Sequence, residues 1–99
     1  KLITKNLIIA YEPVWAIGTG QADTPKDTIE MTNFIRRILK SKINPPAGGQ
    51  KSKIIYGGSV NSKNIKDFIK HKEIEGVLVG GASLTNDFIK IIKVAQKYA

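Results

Sequence analysis

The stretch LIIAYEPVWAIGTG, Leu7 to Gly20, joins an apolar run to a single carboxylate, Glu12, and then to a loop holding a proline, a tryptophan and two glycines around a threonine. Leu7 to Tyr11 has strand length and no period-2 alternation, which predicts a β-strand covered on both faces. The loop runs from Pro13 to Asp23. Thr24-Pro25 with Asp27 then reads as an N-cap, a proline at the first helical position and an acid in the first turn. Met31, Phe34, Ile35, Ile38 and Leu39 recur at helical spacing and predict an amphipathic helix to about Ser41. Pro-Pro and Gly-Gly within Asn44 to Gly49 end it.

The unit then repeats. Lys53 to Tyr56 reads as a short strand ending in Gly57-Gly58-Ser59, with Asn61 as the N-cap of a second helix striped by Ile65, Phe68 and Ile69. Val77-Leu78-Val79 reads as a third strand ending in Gly80-Gly81, and Phe88, Ile91, Ile92 and Ala95 stripe a third helix. The order β-α-β-α-β-α predicts an α/β fold with parallel strands and helical crossovers, in one domain with no internal boundary. In such sheets ligands bind at the C-terminal ends of the strands. All three strands end there in something unusual: Glu12-Pro13, Gly57-Gly58-Ser59 and Gly80-Gly81.

A Gly-Gly turn lets backbone N–H groups approach a ligand with no Cβ in the way. One alone reads as a tight turn, but two on adjacent strand ends favour a phosphate site. A lone Glu at a strand end is usually a surface acid. Glu12, however, stands among Ile9, Ala10, Val14, Trp15 and Ile17. Desolvation there would raise its pKa towards the range of a general base. Pro13 stiffens one end of the loop, Trp15 is a bulky anchor, and Gly18 and Gly20 permit unusual backbone angles, a combination suited to a closing lid.

Composition bounds the partners. The chain has 99 residues, 41% of them hydrophobic and 24% charged, the balance of a globular domain. No apolar run approaches the roughly 18 residues of a membrane span. The absence of cysteine excludes disulfides and thiolate metal sites, and a single histidine, His71 in a polar Lys-His-Lys-Glu helix end, excludes a His-rich metal site. A cytoplasmic address is compatible with this. The net charge of +8 permits a nucleic-acid partner, but the lysines are spread over all the helices with no aromatic residues between them on one face. The chain begins with Lys1 at the approach to a strand, which suggests a piece of a longer protein.

AYEPVWAIGTG, followed by YGGSV (Tyr56 to Val60) and GVLVGGASL (Gly76 to Leu84), closely resembles the C-terminal part of the triosephosphate isomerases, as their sixth, seventh and eighth βα units. The resemblance implies a segment of a TIM (β/α)8 barrel. It further implies interconversion of dihydroxyacetone phosphate and D-glyceraldehyde 3-phosphate without metal or cofactor. That enzyme is itself a standard case of pKa tuning and lid closure, so the roles are carried over from the family.

Glu12 matches the catalytic base and Pro13, Val14, Trp15, Ala16, Ile17, Gly18, Thr19 and Gly20 match the lid. Gly18, Ser59, Gly80 and Gly81 match the phosphate-binding positions. Tyr56 and Ser59 match residues that hold the lid shut, and Ile17 and Leu78 match an apolar clamp over the base. The resemblance also implies a homodimer in the complete protein, with no nucleic-acid or membrane partner.

Two departures stand out. The family's lid commonly ends in Lys-Thr-Ala or something similar, where this chain has Gln21-Ala22-Asp23. The family's electrophilic histidine and first-strand lysine and asparagine belong to earlier βα units, and His71 is in the wrong place to stand in. The isolated chain is therefore expected to be inactive, and its three parallel strands with two open edges are expected to make it poorly stable. Another phosphate-binding barrel enzyme and a basic nucleic-acid-binding module remain as rival readings.

Overall fold

The computed structural model describes residues 7–42 and 52–99. The Asn44–Gly49 break lies outside the described residues. The elements follow the expected order: β1 (Ile8–Tyr11), α1 (Pro25–Lys42), β2 (Lys53–Gly58), α2 (Ile65–Ile69), β3 (Val77–Val79) and α3 (Asp87–Lys97). Short 3₁₀ turns at Val14–Ala16 and Gly81–Leu84 follow β1 and β3. The strands pair in parallel in the order β1-β2-β3. All three C-terminal ends therefore share one edge of the sheet.

The register explains what each face does. Ile8 pairs with Lys53, Ala10 with Ile55 and Tyr11 with Tyr56, while Tyr56 pairs with Val77 and Gly57 with Leu78. Alternation puts Tyr11, Tyr56 and Val77 on the helix-covered face, and Ile8, Ala10, Ile55 and Leu78 on the other. The helix-covered face carries the core. Tyr56, Val60, Ile65, Phe68, Ile74 and Ile91 form one buried cluster, with Tyr11 and Val77 packed against it. Tyr56 stacks face to face on Phe68, ring centroids 4.2 Å apart.

The expectation that β1 is covered on both faces does not hold in this chain. Ile8 is 61% exposed, Leu78 is 46% exposed, and Ala10 is also exposed. A TIM barrel turns this face inward, where layers of side chains from the other strands fill it. A three-stranded sheet has nothing to put there.

The stripe of α1 is also corrected. Among its described side chains the fully buried ones are Thr28 and Thr32, whereas Met31, Phe34 and Ile38 are exposed. Two threonines can face the core because their hydroxyls are satisfied: Thr28 Oγ1 donates to Asp23 Oδ2 at 2.9 Å and Thr32 Oγ1 to the Ile29 carbonyl at 2.9 Å. Arg36 pins the same helix to the β2–β3 side. Its Nη2 donates to Glu75 Oε1 at 2.5 Å and to the Glu73 carbonyl at 2.7 Å, and Glu75 Oε1 also accepts the Ile54 N–H at 3.2 Å.

The caps behave as their sequences suggest, with one shift. Thr24 Oγ1 accepts the Asp27 N–H at 3.1 Å, a standard N-cap bond. The α2 assignment begins at Ile65, later than a cap at Asn61 implies. Asn61 caps nonetheless. Its Oδ1 accepts the Asn64 N–H at 2.9 Å, Asn64 Oδ1 accepts the Asn61 N–H at 2.9 Å, and the Ile65 N–H reaches the Asn61 carbonyl at 3.0 Å. This reciprocal pair is a capping box, with Asn in both places.

Candidate active site at the strand ends

Glu12 is one residue past the end of β1 and continues its register, so it falls in a row with Gly57 and Leu78 across the three strands. Its side chain lies against Gly57. A Cβ built there would sit 2.8 Å from Glu12 Cγ, 3.2 Å from its Oε1 and 3.4 Å from Leu78 Cβ. Gly57 is thus needed for room beside the carboxylate. The same is true of Gly58, whose missing Cβ would fall on the Tyr56 hydroxyl. This changes the reading of the Gly57-Gly58 turn, because both absent side chains are replaced by protein atoms and not by ligand space. Gly80 and Gly81 differ. Nothing lies within 4 Å of a Cβ built at either, so the end of β3 offers open backbone.

The enclosure foreseen for Glu12 is not present in this chain, where the residue is exposed. The apolar residues near it in sequence point elsewhere or outward: Val14 is 81% exposed, while Ala16 is fully buried. Ile17 and Leu78, the two clamp positions, are both about half exposed and present free apolar surface.

The loop is braced by its own hydrogen bonds and by two contacts to the neighbouring strand. Gly18 and Gly20 take φ of +66° and +76°, the left-handed region that side-chain-bearing residues avoid. Thr19 Oγ1 donates to the Trp15 carbonyl at 2.9 Å and accepts the Gln21 N–H at 3.2 Å, folding the tip back on its base. Two contacts fix the loop to β2 and its turn. Ser59 Oγ donates to the Ala16 carbonyl at 2.8 Å, and the Asp23 N–H donates to the Tyr56 hydroxyl at 2.8 Å. Tyr56 and Ser59, the two latch positions, therefore both touch the loop. Burial raises the Tyr56 phenol above its ordinary pKa, the nearby Asp23 charge raises it further, and the Asp23 N–H opposes them.

Two side chains were not singled out as site residues from the sequence. Asp23 gathers contacts from three elements, as its Oδ1 also accepts the Trp15 Nε1–H at 3.3 Å beside the bonds to Thr28 and Tyr56. Asp87 joins the second and third strand ends: its Oδ1 accepts from Ser62 Oγ at 2.5 Å and its Oδ2 from the Ser62 N–H at 2.9 Å. The signal for Asp23 was its place directly before the Thr24 cap, where an acid can reach both the helix start and the loop. No local pattern marks Ser62 and Asp87 as partners.

His71 lies in the turn between α2 and β3, at the N-terminal edge of the sheet and opposite Glu12. A cavity of about 540 Å³ opens between α2, β3 and α3, lined by Ile74, Val77, Ile91 and Tyr98 among others. It sits on the helix-covered side, away from Glu12, and is an open margin of the core. Among the described residues no cluster of His, Cys, Asp and Glu could hold a metal, and no helix is long and apolar enough to cross a membrane.

Comparison with known proteins matches this arrangement to one family. The triosephosphate isomerase family model matches residues 1–95. The chain is 53% identical over 90 residues to the triosephosphate isomerase of Aquifex aeolicus, covering 90% of this chain and 36% of that protein. It is 52% identical over 88 residues to that of Candida albicans, covering 89% of this chain and 35% of the relative. The Dictyostelium discoideum enzyme is 48% identical over 96 residues, covering 94% of this chain and 37% of the relative. The chain thus spans a little over a third of the length of these relatives. It belongs to the triosephosphate isomerase family, and its parallel three-stranded unit is a segment of that family's (β/α)8 barrel.

Proposed function

We propose that the complete protein interconverts dihydroxyacetone phosphate and D-glyceraldehyde 3-phosphate, with Glu12 as the base. The observation that carries this is the row Glu12–Gly57–Leu78 with the lid starting at the next residue and tied down by Ser59 and Tyr56. A carboxylate there can take a proton from one substrate carbon and return it to the neighbour through an enediolate.

The backbone N–H of Gly18, with Ser59, Gly80 and Gly81, holds the substrate phosphate. The open space above Gly80 and Gly81 supports that role. Closure of Pro13 to Gly20 brings Ile17 and Leu78 over the base and expels water, which limits loss of phosphate from the enediolate. The electrophile that polarises the substrate carbonyl comes from outside these 99 residues, since His71 is at the wrong edge. A homodimer, a cytoplasmic address and the absence of nucleic-acid or membrane partners belong to the same reading.

A coupled isomerase assay on the complete protein and on the 99-residue chain tests it. The complete protein turns over both triose phosphates, and the short chain does not. Absence of turnover by the complete protein, or turnover only of larger sugar phosphates, would move the site to another phosphate-binding barrel enzyme.

A further inference from the structure

The lid of this chain ends in Gln21-Ala22-Asp23, and its last residue is 7% exposed. A carboxylate buried this far is costly unless its lone pairs are met. The partners of Asp23 are all neutral and come from three different elements. Oδ1 takes the Trp15 indole N–H at 3.3 Å, Oδ2 takes the Thr28 hydroxyl of α1 at 2.9 Å, and the backbone N–H goes to the Tyr56 hydroxyl of β2 at 2.8 Å. Trp15 and Asp23 stand at opposite ends of the loop, and between them Thr19 ties the tip to its base. The Trp15–Asp23 bond therefore closes the loop into a ring anchored on α1 and β2. An alanine at this position offers no acceptor for the indole.

We propose that Asp23 is a positioning residue for the loop, a side-chain tie that fixes Trp15 and thereby the base from which the Gly18–Gly20 tip closes. The proposal rests on the isomerase reading for its catalytic consequence, but not for its geometry. A purely structural Asp23 would act through Thr28 at the start of α1. A lid tie acts through Trp15. The two roles separate by variant.

Two readouts on the complete protein test it. The first needs no activity: solvent exchange of the Trp15 indole N–H, identified by its loss in Trp15→Phe. Exchange speeds up about 3- to 10-fold in Asp23→Ala, the loss expected for one long hydrogen bond to a charged group. It stays within about twofold of wild type in Asp23→Asn, which keeps a carbonyl acceptor, and in Thr28→Val. Unchanged exchange in Asp23→Ala, or an equal rise in Thr28→Val, would overturn the tie.

The second readout is inorganic phosphate released per isomerisation, because an enediolate in a leaky site breaks its C–O bond and expels phosphate. The ratio rises about 3- to 10-fold in Asp23→Ala and in Trp15→Phe, and the double variant is no worse than the worse single one. Effects that multiply would refute the shared role. If wild type itself fails to isomerise, the functional reading falls while the exchange measurement still decides the tie. Should Asp23→Ala fail to fold, Asp23→Leu, which fills the volume without offering an acceptor, takes its place in both readouts.

Discussion

Gly58→Ala is the sharpest test of how the strand end is packed. A Cβ at this position falls on the Tyr56 hydroxyl, 2.6 Å from its Cζ and 3.1 Å from its Cε1. The ring cannot swing aside. Tyr56 is fully buried, stacked on Phe68 at 4.2 Å, and holds the Asp23 N–H at 2.8 Å. Overpacking a tight core costs about 1–3 kcal/mol. Displacing the phenol also takes the acceptor from a buried N–H, about 1 kcal/mol more. The sum is about 2–4 kcal/mol, which for a protein of barrel size lowers Tm by about 4–16 °C.

Thermal unfolding of the complete protein, followed by far-ultraviolet circular dichroism, measures this. Tyr56→Phe removes the hydroxyl that the new Cβ meets, so the double variant loses less than the sum of the two single changes. A Gly58→Ala protein melting within a degree of wild type would show that the phenol does not occupy this space, and the account of the latch would fail with it.

Two further changes probe the ties around the site. Asp87 is held below its ordinary value of 3.8 by the hydrogen bonds from the Ser62 hydroxyl and N–H, and by nearby Lys90 and Lys63. A depressed carboxylate stabilises the fold above its unfolded value and loses that contribution as pH falls through the native one. Wild type and Ser62→Ala should therefore differ most in urea midpoint near pH 6, and the gap should begin to close only as pH falls below 3.8 towards the lower native value; a gap that stays constant to pH 2 would contradict the link. Arg36→Met removes the two hydrogen bonds from Nη2 that pin α1 to Glu73 and Glu75, the Arg36 and Glu75 side chains being about 30% exposed, and is expected to cost about 1–2 kcal/mol in urea unfolding. A change under about 0.5 kcal/mol would assign the pinning of α1 to its buried threonines alone.

Much of the fold was legible in the sequence because its signals are local. Apolar runs ending at Tyr11, Tyr56 and Val79, each followed by a helical stripe, give three βα units without any tertiary information. The Thr24 and Asn61 caps are local too, and both make the expected bonds. The misreadings were non-local. Nothing within α1 reveals that Thr28 and Thr32 face the core while Phe34 and Ile38 do not, because the hydroxyl of Thr28 is satisfied by Asp23 in the preceding loop. Gly57 and Gly58 were read as making room for a ligand. Their space is filled by Glu12 from another strand and by Tyr56 from their own, a fact of register and rotamer.

The site followed the same division. Glu12 and the glycines of the lid stand out in one line of sequence. Their setting does not, because an apolar neighbourhood in sequence did not enclose Glu12 in space. Within these residues the face of the sheet that carries Glu12 stays open, with Ile8 and Leu78 exposed on it.

The role of Glu12 is tested most directly by Glu12→Gln in the complete protein. Glutamine keeps the shape beside Gly57 but cannot take a proton from carbon. Turnover of both triose phosphates should fall about 10²- to 10⁴-fold, the usual contribution of a positioned base, while affinity for an unreactive triose phosphate analogue stays within about threefold of wild type. Turnover near the wild-type rate would remove Glu12 from the chemistry and contradict the account.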